Sequence, residues 1–102
     1  MKLIEIEPHF WELYQQDEQL FLSIAIDLSS VVSCWDIILT QTEVSDYQTI
    51  GRDSITSLAN QCVVQLYRGD ATRLEQHAAS ASQKLEMLTA FKTWQTQQAS
   101  SV

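Results

Sequence analysis

Leu20-Phe21-Leu22-Ser23-Ile24-Ala25-Ile26-Asp27-Leu28 is the stretch whose reading decides the fold. Its even positions are all Leu or Ile, and its odd positions are Phe, Ser, Ala and Asp. Strict alternation with period two is the mark of a strand with one face buried. A second strand follows over Val31 to Thr40, with Val31, Trp35, Ile37 and Leu39 on one face and Cys34, Asp36 and Thr40 on the other. Asp27 to Ser30 supplies the turn between them without a glycine, so a loop of several residues is expected in place of a two-residue type I′ turn.

Upstream of this pair, Ile4 and Ile6 alternate with Glu5 and Glu7, and Trp11 and Leu13 resume on the opposite parity. Pro8 lies at the slip, which predicts a bulge or a break there, because proline removes a ladder donor. Gln15 to Gln19 reads as the loop into Leu20–Leu28. The expectation is an antiparallel β-meander of three or four strands.

Beyond residue 40 the apolar period becomes helical. Thr40-Gln41-Thr42-Glu43 fits a capping box. Tyr47, Ile55, Leu58, Cys62 and Leu66 then trace one stripe, with Gly51 inside the predicted helix at a cost of about 1 kcal/mol relative to alanine. A close approach of helix to sheet would compensate for it. Gly69 stands where a left-handed C′ residue belongs, and Asp70 can cap the next helix. That helix is predicted from about Ala71 to Trp94, with Leu74, Ala78, Ala81, Leu85 and Leu88 on one seam and Met87, Phe91 and Trp94 widening the stripe. The predicted architecture is α+β: an N-terminal meander packed on two C-terminal helices, one domain over 1–94, and a frayed tail over 95–102.

Charge divides the chain in the same place. Residues 1–53 hold ten carboxylates against Lys2 and Arg52, whereas 54–102 hold three against four basic residues, so the net charge of −7 belongs to the first half. Such a field repels nucleic acid and anionic membrane and attracts a basic protein partner. The longest mostly apolar run is about half of what a membrane span requires, and the N-terminus has acids where a signal peptide needs an apolar run. Cys34 and Cys62 lie 28 positions apart among apolar neighbours, which reads as two reduced thiols in or near the core of a cytoplasmic protein.

Motifs for chemistry are absent from the sequence. His9 and His77 are remote from each other and neither has ligand spacing, so no metal or other cofactor is expected. Two glycines do not make a phosphate loop. A small enzyme or ligand-binding domain would need a pocket holding His9 or His77 with convergent carboxylates. A binding module is the stronger reading.

Leu39-Thr40, Glu43, Tyr47 and Gly51, followed by Ile55 and Leu58-Ala59, resemble the first helix of small bacterial immunity proteins from toxin–antidote systems, including contact-dependent growth inhibition. The match covers about twenty capping and packing positions, so it bears on architecture before function. The resemblance implies an acidic inhibitor without turnover that occludes the basic, nuclease-like domain of a secreted effector. Charge and strand parity then nominate Glu5, Glu7, Glu12, Asp17, Glu18, Asp27 and Asp36 as contacts, with Trp11, Tyr14 and Phe21 as aromatic anchors. The alternative is a homo-oligomeric adaptor or structural protein whose apolar strand face pairs with itself.

Overall fold

In a computed structural model that describes residues 1–28 and 31–100, the alternation of the first forty residues becomes one antiparallel sheet in the order β1-β2-β3-β4. The strands are β1 Lys2–Glu7, β2 Trp11–Gln16, β3 Gln19–Leu28 and β4 Val31–Ile38. Pairing of β3 with β4 runs from Phe21↔Ile38 to Leu28↔Val31. The loop expected between them falls on residues 29 and 30, outside the described residues.

Pro8 does not interrupt a strand. It sits at the second position of a four-residue turn closed by the Phe10 N–H donating to the Glu7 carbonyl at 3.0 Å, followed by His9 at φ 67°. Proline then positive φ is the signature of a type II turn. The parity slip is absorbed before Pro8, where the register shifts between Leu3 and Glu5. The segment read as the loop into β3 is instead a tight hairpin, with Gln16 paired to Gln19 and Asp17 at φ 55°.

Even positions of β3 feed the main core. Leu20, Leu22, Ile24 and Ile26 join Trp11, Leu13, Ile37 and Leu39 under Ile55, Leu58, Ala59 and Cys62 of the helical layer. Two helices were expected and, among the described residues, four are present: α1 Gln41–Ile50, α2 Arg52–Tyr67, α3 Thr72–Gln76 and α4 Ala81–Ser100. The Thr40 capping box forms as read, with Thr40 Oγ1 accepting the Glu43 N–H at 3.2 Å and Glu43 accepting the Thr40 N–H at 2.8 Å. Gly51 does not sit inside a continuous helix. Its backbone, at φ 89° and ψ −149°, ends α1 and starts α2, and a Cβ there would meet nothing within 4 Å. Backbone conformation, and not close approach to the sheet, is what requires glycine.

The second predicted helix is broken as well. After Gly69 (φ 81°) and the Asp70 cap on the Thr72 N–H, α3 lasts one turn. Residues 77–79 then lie along the outer edge of β4, bridged through Ala78 to Ile37, with Ile38 N–H donating to the His77 carbonyl at 2.8 Å and Ala79 N–H donating to the Asp36 carbonyl at 2.9 Å. Pairing with an open strand edge overrides the helix preference of the alanines. The break resets the helical phase, so Leu85 (64% exposed) and Leu88 (50%) face outward while Met87 and Ala90 are buried. α4 runs through Ser100, so residues 95–100 continue a helix where a frayed tail was expected. Among the described residues no helix is long and apolar enough to cross a membrane.

This crossover puts α4 on the opposite face of the sheet from α1–α3. There it lies over a row of register partners, Leu3↔Tyr14↔Phe21↔Ile38, contributing Met87, Ala90, Phe91 and Trp94. The sheet is therefore sandwiched along this row.

Candidate functional site

The odd residues of β3 and the even residues of β2 and β4 share the face on which α4 lies. Going outward from the covered row, the next register row is Ile6↔Glu12↔Ser23↔Asp36, and beyond it Ala25 pairs with Cys34 and Asp27 with Val32. The sequence parity that grouped Glu12, Tyr14, Phe21 and Asp27 is thus correct about the face. It is wrong about exposure, because α4 covers half of that face. Tyr14 is 2% exposed and Phe21 is fully buried, so neither is a surface anchor. Trp11 is buried on the other face under the helices and does not anchor a partner either.

What remains open is a strip bearing Glu12, Ser23, Asp36, Ala25, Cys34 and Asp27. Glu12 and Asp36 stand on β2 and β4 with one strand between them, about 10 Å apart from the spacing of neighbouring strands. The Tyr14 hydroxyl marks the border, donating to Glu12 Oε1 at 2.8 Å. Its burial, and then Glu12 and Asp36, hold the phenol well above the usual tyrosine range. Partial burial, Asp36 and Glu12 likewise raise the Cys34 thiol. Burial leads both shifts, and the neighbouring carboxylates of the strip add to them. Both thiols were expected in or near the core; Cys34 is exposed, whereas Cys62 is buried, with its thiol pushed up to about 11 by desolvation.

The other nominated acids lie elsewhere. Glu5 and Glu7 are on the helical-layer face at β1, where Arg52 at the start of α2 pairs with both, at 3.7 Å to Glu5. The same guanidinium donates to the Ile6 carbonyl at 2.9 Å and stacks 4.8 Å from the Trp11 ring centroid. These carboxylates hold α2 to the sheet edge. Tyr47, pushed up to about 12 by burial and by Glu5, belongs to the same cluster. Asp17 and Glu18 form the β2–β3 turn and help to line a 650 Å³ cleft beside Leu39, Val44 and Tyr47. The ten nominated residues therefore do not form one patch; only Glu12, Asp27 and Asp36 share an open surface.

Three residues escaped the sequence reading: Cys34 on this surface and, at the same stretch of β4, Val31 on the opposite face and Val32 beside the strip. The last two are 61% and 64% exposed on β4. The parity of β4 already sets Cys34 beside Asp36, away from Trp35 and Ile37, and that was the available signal. His9 is exposed in its turn and His77 lies at the sheet edge. Among the described residues no group of three His, Cys, Asp or Glu could hold a metal ion. Comparison with protein families, curated proteins and solved structures finds no match to this chain.

Proposed function

We propose that this protein is a binding module for a basic protein, engaging it through the open acidic strip of the α4-bearing face and acting as an immunity-type inhibitor that occludes a basic toxin domain. The observation that supports this most is the placement of Glu12, Asp27 and Asp36. They stand on the part of the sheet face that α4 leaves open, and no ion pair with a basic residue of the chain is formed by any of the three among the described residues. The other carboxylates of the first half include Glu5, Glu7 and Glu43, which are spent on Arg52 and Arg73. A flat field of carboxylates steers cationic partners at long range and selects against anionic ones. The mechanism is stoichiometric: a carboxylate strip takes the place of phosphate in a basic groove and requires no cofactor.

The test is recovery of partners on the tagged protein at low salt, in parallel with a Glu12→Gln/Asp27→Asn/Asp36→Asn variant. Equimolar recovery of a basic domain by the parent chain, lost in the variant and released by salt, is the expected result. Equal recovery by both chains would sink the proposal.

A further inference from the structure

The two outer edges of the sheet are finished differently. On β1 the Arg52 guanidinium takes the Ile6 carbonyl, the register shift between Leu3 and Glu5 distorts the edge, and Lys2, Glu5 and Glu7 add charge. These are the devices by which natural sheets discourage strand addition. On β4, residues 77–79 cap only the end near Ile38.

The rest of β4, Val31-Val32-Ser33-Cys34-Trp35, has no charge, no proline and no bulge. Antiparallel ladders alternate the direction of their backbone groups. Ile38 N–H and the Asp36 carbonyl point outward, to residues 77 and 79, while Leu39 N–H points inward to the Leu20 carbonyl. The same alternation turns the N–H and C=O of Val32 and Cys34 outward, where no described residue pairs with them.

We infer that this free stretch of β4 takes up an extended segment of the partner as a fifth strand, with lysine or arginine at alternate positions; the inference rests on the basic-partner reading above. An added strand would lie about 4.8 Å outside β4. Its side chains on one face would stand beside Val32 and Cys34, where a long cationic side chain reaches toward the carboxylates of Asp27 and Asp36. Those on the other face would meet Val31 and the half-buried Trp35, which suits apolar residues. Main-chain bonds supply affinity and alternate side chains supply selection, as in other strand additions. A second copy of this chain is the poorer occupant, because it would bring Asp27 and Asp36 of two chains, each of net charge −7, onto one face.

The test uses the full chain and two synthetic peptides of identical composition, one alternating lysine and valine and one with its lysines in a block. Binding at low salt and amide hydrogen exchange are read together. The alternating peptide should bind about tenfold more tightly than the block isomer and slow exchange at the Val32 and Cys34 amides by about the same factor. Val32→Pro removes an outward N–H and leaves the inward ladder intact. It should abolish the protection at Cys34 without changing the thermal midpoint, and the exchange data on the parent chain decide the matter even if this variant misfolds. Equal binding of both peptides without protection would overturn strand addition while leaving the acidic-strip reading standing. Failure of both peptides to bind would overturn both readings. Protection of the two amides by dimerisation of the chain alone would overturn the basic-strand occupant in favour of a second copy.

Discussion

Tyr14 and Glu12 stand two residues apart on one strand and point to one face of one sheet, yet they belong to different environments. Tyr14 lies in the row covered by α4 and is 2% exposed; Glu12 lies one row farther out, on the open strip. Phe21 and Asp27 repeat the contrast along β3. The strand period decides the face on which a side chain projects. Whether that side chain is core or surface depends on an element whose footprint ends between neighbouring rows. The covered row is a second core, and the open strip is the candidate binding surface.

The strongest way to break this contrast is to empty the covered row. Phe21→Ala removes a fully buried ring between Tyr14 and Ile38 and should cost about 3–5 kcal/mol. Since small domains hold only about 5–15 kcal/mol in total, denaturant unfolding should show most of the stability lost. A loss below about 1 kcal/mol would mean that α4 does not seat there.

Alkali provides the next test. Burial and then Glu12 raise Tyr14, and burial and then Glu5 push Tyr47 up to about 12, against a tyrosine value of 10.0 when unfolded. A raised folded pKa means that the folded chain holds these protons more tightly. Their contribution is present in full below pH 10 and is lost as the pH climbs through 10 toward 12 and above. Denaturant midpoints taken from pH 9 to 12 should fall, and Tyr14→Phe should flatten that fall. An unchanged slope in Tyr14→Phe would place its phenol outside the covered row.

A smaller effect is expected where α4 begins. Ser80 Oγ accepts the Gln83 N–H at 3.1 Å, while Gln83 accepts the Ser80 N–H at 2.8 Å, a second capping box. Ser80→Ala should cost about 1 kcal/mol in the same unfolding measurement.

The open strip should respond least in stability and distinctly in chemistry. Asp36→Asn should leave unfolding within about 0.5 kcal/mol of the parent. Removing the carboxylate two residues from Cys34 lowers the thiol pKa, so alkylation at pH 8 should quicken about threefold, as expected for one charge at that separation in water. An unchanged rate would detach Cys34 from the strip.

Much of this molecule was legible before any coordinates. Leu20–Leu28 located β3, which begins one residue earlier at Gln19, and Thr40 with Glu43 marked the start of α1. Gly69 and Asp70 marked the passage into α3. The misreadings cluster where local preference met a tertiary competitor. Ala78, Ala79 and Ala81 favour a helix, but an unpaired β4 edge took residues 77–79 as a partial strand. The box at Ser80 and Gln83 was the local clue to that break. For the candidate site, the residues on the face were readable from parity and the exposed fraction was not, since it depends on where α4 lands.

What the sequence determined by itself is the set of local periods and end signals: an alternating pattern that makes a sheet, caps that open helices, and a net charge of −7 that belongs to the first half. Those follow from backbone geometry and from Coulomb's law acting on neighbours in the chain. Only the tertiary structure decided that the sheet has two covered faces, that Arg52 ties Glu5 and Glu7 to the helices, and that Glu12, Asp27 and Asp36 stay open beside a free β4 edge. Each of these depends on residues tens of positions apart meeting in space, and contacts of that range leave no period in the sequence.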